Sequence, residues 1–236
     1  MPFPANVAGV TTGLTGFRSS DRYFAADGGC QNDVCAARAM TGAAGPGSNS
    51  PAGPGSTARE EILDAAAELF TTIGYAGTST RRIADAVGIR QASLYHHFAT
   101  KDDILEALLA GTVDEALRLA GELLTGPGPA RARLRALVIA DCSQLCASRW
   151  NLGALYLLPE LRIERFAQFR ASREELRCRY RALAAQVIAE CDGIVDADDL
   201  PFRLVESVIN RRSDNEECTP EAPVVIADAA LRILGC

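Results

Sequence analysis

The sequence predicts an all-α protein of about nine helices: an N-terminal helix-turn-helix unit followed by a larger helical domain. Three observations lead there. From residue 57 onward apolar residues recur at spacings of three, four and seven; capping residues precede these stretches and glycines or prolines follow them; and no alternating strand or hairpin turn of useful length occurs. With 236 residues, 48% hydrophobic and 23% charged, the chain has apolar material for a real core. No uninterrupted apolar run approaches the roughly 18 to 20 residues needed to span a bilayer, and the first residues lack the basic start and apolar stretch of a leader. A cytoplasmic protein with no membrane partner is therefore expected.

Residues 1–56 are expected to be a disordered extension and linker. Residues 1–39 show no sustained period, and residues 40–56 read MTGAAGPGSNSPAGPGS, in which Gly, Pro, Ser and Ala supply 14 of 17 positions. Such a composition cannot bury enough surface to offset its ordering entropy. Met40 is the only methionine after Met1, so an alternative start lies there.

At Thr57 the pattern changes. Thr57 with Glu60 three residues on is a capping box, followed by Ile62, Ala66, Leu69, Phe70 and Ile73 at helical spacing and Gly74 as a stop. Ser79 caps a short second helix with Ile83, Ala84 and Val87 on one face, ended by Gly88. A third starts near Arg90 with Leu94 and Phe98 as anchors, and a fourth runs from Lys101 or Asp102 towards Leu124, before Gly126, Pro127, Gly128 and Pro129 break the chain. A fifth helix is expected over 130–149, a short apolar one over 152–158, and a long one from Phe166 to a stop at Gly193. Asp199 is expected to cap a helix with Pro201 in its first turn, and Thr219 with Pro220 to open the last.

Two short helices joined through Gly88 and Ile89 are the arrangement of a helix-turn-helix, whose second helix enters the DNA major groove. The run TSTRRIADAVGIRQASLYHHFATKDDIL, preceded by AREEILDAAAELFTTIGYAGTS, resembles the DNA-binding domain of the tetracycline-repressor (TetR) family of bacterial regulators, over roughly residues 57–109. The expected organisation is thus 57–101 for DNA binding and 102–236 for ligand binding and dimerisation. The resemblance implies a repressor that binds a palindromic operator as a homodimer and is released by a small effector.

Charge supports this independently of the resemblance. The chain carries −6 overall, which argues against nonspecific coating of nucleic acid. Residues 57–77 hold one basic against four acidic residues and residues 102–109 are −3, whereas residues 78–101 hold four basic against one acidic. Only the segment expected to face DNA is basic, as a phosphate backbone requires. Gln91, Ala92 and Ser93, in the first turn of the third helix, are the candidate base readers: Gln bonds adenine bidentately and Ala touches a thymine methyl. Tyr95 and His96 are assigned to phosphate or sugar, and Thr80, Arg81 and Lys101 to phosphate contacts that fix register. Arg90 stands where the family commonly has Ser or Thr. It removes a cap worth about 1 kcal/mol and adds a possible phosphate contact.

Farther along, Trp150, Tyr156, Phe166, Phe169 and Tyr180 are candidate walls of a pocket for a largely apolar effector, with Asp141 or Gln144 orienting it; plain core packing is the competing reading of each. Phe202, Val205, Val208 and Ile209, with Val225, Leu231 and Leu234, offer apolar stripes for a dimer contact. The eight cysteines read as reduced thiols; Cys142 and Cys146, one turn apart, are weighed as packing or as a thiol or metal sensor. No metal or cofactor is expected, since His96 and His97 are the only histidines and point about 100° apart on one helix. Catalysis is the remaining alternative, but no group of residues fills the roles of an active site.

Overall fold

The structure is a computed structural model that describes residues 57–191 and 195–236. The expected extension and linker over 1–56, the second possible start at Met40 and the stop at Gly193 lie outside the described residues. Within them there is no strand, and eight α-helices form: α1 (Ala58–Thr72), α2 (Thr80–Val87), α3 (Gln91–His97), α4 (Lys101–Thr125), α5 (Ala130–Ala147), α6 (Ala167–Cys191), α7 (Leu200–Ser213) and α8 (Ala222–Ile233). The apolar segment after α5 is not an α-helix. It is a 3-10 turn, Leu152–Leu157, followed by two more, Pro159–Arg162 and Glu164–Phe166. Pro159 lacks the N–H needed to continue a helix from Leu155, so the chain restarts there. Among the described residues no helix is long and apolar enough to cross a membrane.

The helix ends are largely set by local chemistry. Thr57 and Glu60 form the reciprocal capping box, and Thr100 and Asp103 form a second one at the start of α4. Ser79 accepts from the Arg82 N–H, and Gly88 ends α2 in the left-handed region, φ 79°, where a side chain would be strained. Arg90 makes no side-chain cap. Pro129 gives α5 no cap either, and Glu190 of α6 supplies one from afar, accepting from the N–H groups of Ala130 and Arg131 at 2.8 and 3.3 Å.

Two expected starts are corrected. Asp199 precedes α7 without capping it, because its carboxylate accepts from Arg177 and Arg203 instead. The last helix begins at Ala222, with Pro223 in its first turn; Thr219 and Pro220 lie in the turn before it.

α1 packs against α2 and α4, and α3 against α2. In the larger helical part, α5 contacts α4, α6, α7 and α8, while α4 lies along α6. The Leu152–Leu157 turn meets α1, α4 and α7, and so joins the two parts. Gly153 permits its approach to α7: a Cβ there would stand 2.5 Å from the Ile209 side chain.

The stripes expected to form a dimer are used inside the chain. Phe202, Val205, Val208, Ile209 and Leu234 are buried in it, and Leu231 is half-buried. A stripe announces that a helix has an apolar face, but not whether its own chain or a second copy covers it. The large apolar residues left exposed on α7 and α8 are Leu200, Val224 and Val225, the last 60% exposed. The cysteine expectation is also corrected: Cys191, at the end of α6, is bonded to Cys236, with Cα atoms 5.7 Å apart.

These positions separate folding from association. Val208→Arg would place an unpaired charge in the core and is expected to lower unfolding free energy by roughly 3 kcal/mol or more. Val225→Arg should leave it within about 0.5 kcal/mol. Urea titration of both variants checks the contrast.

Candidate nucleic-acid interface

Three buried residues hold the helix-turn-helix from behind. Ile83 and Ala84 of α2 and Leu94 of α3 are fully buried, with Phe98 closing the end of α3. That leaves Arg81, Arg82, Arg90, Ala92, Tyr95, His96 and His97 exposed, with Thr80, Gln91 and Ser93 partly so. The expected DNA-facing residues of α2 and α3 are therefore all at least partly accessible. Arg82 and His97, which sequence reasoning left out, are exposed as well.

Part of that surface is tied together. The Gln91 Nε2 donates to Thr80 Oγ1 at 2.9 Å and to the Tyr95 hydroxyl at 3.1 Å, and Thr80 and Tyr95 lie 3.1 Å apart. This triangle links the first turn of α2 to α3. It also occupies both hydrogens of the Gln91 amide, so bidentate contact with adenine requires the triangle to open. Arg81 faces Asp85 at 4.0 Å with both side chains largely in water, an attraction too weak to hold it from a phosphate.

Lys101, expected to contact phosphate, is engaged within the protein. Its ammonium donates to the carbonyls of Tyr75 and Thr78 at 2.8 and 2.9 Å and lies 4.0 Å from the centre of the Tyr75 ring. With two of three hydrogens used and its charge against a ring face, it fastens the α1–α2 loop to the start of α4. Tyr75 adds a hydrogen bond to Asp102. Burial, then this bond, holds the Tyr75 hydroxyl well above the usual phenol range. Thr78 completes the loop by donating towards the Gly74 and Leu69 carbonyls.

The residues proposed for an effector pocket do not line one cavity. Phe166 and Tyr180 fill the core, and the Tyr180 hydroxyl donates to Asp141 at 2.9 Å. Gln144 and Trp150 line a cavity of about 240 Å³ with Leu63, Leu108, Gly111 and Arg212. Tyr156 and Phe169 line a separate groove of about 420 Å³ with Arg162, Arg170 and Arg173. Asp141 and Tyr156 border a void of only about 20 Å³. Trp150 does more than form a wall: its indole N–H donates to Asp64 of α1 at 2.9 Å, beside Arg149, which pairs with the same carboxylate at 3.0 Å.

The comparisons agree with this architecture. Residues 62–108 match the sequence signature described as bacterial regulatory proteins, tetR family. AmtR from Mycobacterium smegmatis, known from a crystal structure, is 73% identical and superposes with a TM-score of 0.76, over 79% of this chain and 90% of that one. KstR2 of Mycobacterium tuberculosis, described as a ketosteroid transcriptional regulator, superposes with a TM-score of 0.64 at 25% identity, over 78% and 96% of the two chains. The repressor KstR2 of Rhodococcus jostii is 40% identical over 90 residues, 38% of this chain; the match spans 44% of that relative's length. The chain belongs to the tetR family of bacterial regulatory proteins.

Asp141 gives a test of the buried network. Burial pushes its carboxyl up to about 6, with the hydrogen bond from Tyr180 acting the other way and the Glu206 charge adding to the rise. Between about pH 4, the ordinary carboxylate value, and about pH 6 the folded state holds a proton that the unfolded chain has lost. This group's contribution to stability therefore falls as pH rises through that window, by at most about 3 kcal/mol. Asp141→Asn should lose that slope, seen as the difference between the two proteins' stability-versus-pH curves.

Proposed function

We propose that this protein is a DNA-binding transcriptional repressor that acts in the cytoplasm as a homodimer on a palindromic operator, is released by a small, largely apolar effector, and is not an enzyme. The observation that carries this reading is the exposed surface of α2 and α3. Arg81, Arg82, Arg90 and Ala92 are exposed there and the Thr80–Gln91–Tyr95 triangle links α2 to α3, while the sequence on either side is acidic. The arginines attract the phosphate backbone, and the short side chains at the start of α3 let it approach base edges. His96 and His97 are both exposed on α3, away from buried Asp141, which favours a recognition role over a catalytic one.

A palindromic site needs two recognition helices about 34 to 36 Å apart, so two copies must associate. The outer faces of α7 and α8, with Leu200, Val224 and Val225, are the proposed contact. The proposed domain division is 57–101 for DNA binding and 102–236 for effector binding and association. For the effector, the cavity lined by Gln144 and Trp150 has the more apolar walls and reaches Leu63 of α1. A guest there would press next to the Asp64 contacts, which gives binding a path to the position of α2 and α3.

Selection from random duplex DNA should enrich an inverted repeat; enrichment of no repeat would overturn the reading. On the selected site, Arg81→Ala should weaken binding to all sequences alike and reduce the slope of log affinity against log salt by about one. Gln91→Ala should change the preferred base at one position in each half-site, at a cost of about 1 to 3 kcal/mol.

A further inference from the structure

Pro159 divides the segment after α5 into separate turns, and the turn Pro159–Arg162 packs against α6. The groove of about 420 Å³ formed there has the size of a small-molecule site. It shares no lining residue with the cavity at Trp150.

Two kinds of surface meet in this groove. Tyr156 and Phe169 supply rings whose centres are 5.4 Å apart, and the Tyr156 hydroxyl donates to Thr112 at 2.7 Å, which fixes its ring. Leu157 lines the groove with them and is 85% exposed, a large apolar side chain that its own chain leaves uncovered. The second surface is cationic. Arg162, Arg170 and Arg173 all line the groove, Phe169 and Arg173 being one turn apart on α6.

The three arginines are engaged to different degrees. Arg173 pairs with Glu206 and lies 5.3 Å from the centre of the Tyr156 ring, while its Nε is buried with no hydrogen-bond partner among the described residues. Arg170 uses Nη1 alone, donating to the Leu161 and Ile163 carbonyls at 2.5 and 2.6 Å, which pins the turns to α6. Arg162 is exposed and has no partner among the described residues. Against these three cations stand Glu206 and the lining residue Glu174, so one positive charge is left over. An apolar body bearing a single negative charge matches both surfaces, whereas a dianion exceeds that surplus.

We propose that this groove binds a small carboxylic acid with a ring-bearing apolar body, its carboxylate on Arg162 and Arg170 and its body against Tyr156, Leu157 and Phe169. Guanidinium groups pair well with a planar carboxylate, and Arg170 is already held in place by the two carbonyls. The site is additional to the effector cavity at Trp150 and stands without the DNA-binding reading.

The test uses naphthylacetate as the probe and its uncharged amide as the control, with the full chain carrying isotope-labelled leucine methyls. Calorimetric titration should give naphthylacetate a Kd of about 1 mM or tighter, and the amide should bind about tenfold or more weakly. The methyl resonances of Leu157, Leu158 and Leu161 should move with the acid. Arg162→Gln should weaken the acid at least about threefold at an unchanged unfolding midpoint, because this side chain has no partner to lose. Leu157→Gln should weaken acid and amide alike. No binding of the acid, equal binding of acid and amide, or shifts centred on Leu63 and Leu108 of the other cavity would overturn the proposal. So would Leu157 shifts that follow protein concentration without the acid, since a second copy would then cover the groove.

Discussion

The N-terminal part depends on one ammonium group. Lys101 begins α4, yet its hydrogen bonds end on Tyr75 and Thr78, in the loop that delivers the chain from α1 to α2. Carbonyls in a tight loop need donors, and a cation supplies stronger hydrogen bonds than a neutral group. The orientation of α2 and α3 relative to α4 follows from this attachment, together with the Tyr75–Asp102 bond and the packing of Ile83, Ala84 and Leu94. The only lysine in the chain is thus engaged by the loop between α1 and α2.

The second joint lies between α1 and the loop after α5. Asp64 receives Arg149 and Trp150; Arg212 and Asn151 hold the loop from the side of α7; and Gly153 allows the following turn to lie against Ile209. The individual polar contacts at Asp64 are exposed and weak. Their value is positional, since Trp150 both contacts Asp64 of α1 and lines the cavity with Leu63.

Much of the fold was legible from local chemistry. The Thr57–Glu60 box, the Ser79 cap and Gly88 in the left-handed region are each determined by residues within a few positions, so the helix-turn-helix could be read directly. What required three dimensions was the choice of partner. The Lys101 side chain meets backbone carbonyls, which leave no mark in a residue pattern. Asp199 looked like a cap until Arg177 and Arg203 took its oxygens, and Cys191 and Cys236 are 45 residues apart. The α7 stripe was correctly apolar, yet its own chain covers it. Tyr180 and Phe166 were ambiguous for the same reason, since a ring lining a pocket and a ring filling a core have the same spacing.

Lys101 fastens the α1–α2 loop, and we propose that it does so instead of holding a phosphate. The direct measurement is the salt dependence of operator binding by Lys101→Met, with amide hydrogen exchange followed in the same variant. Weaker binding with an unchanged slope of log affinity against log salt is expected, with faster exchange at the Thr78 amide. A slope reduced by about one, with exchange there unaltered, is the signature of a lost phosphate contact and would contradict it.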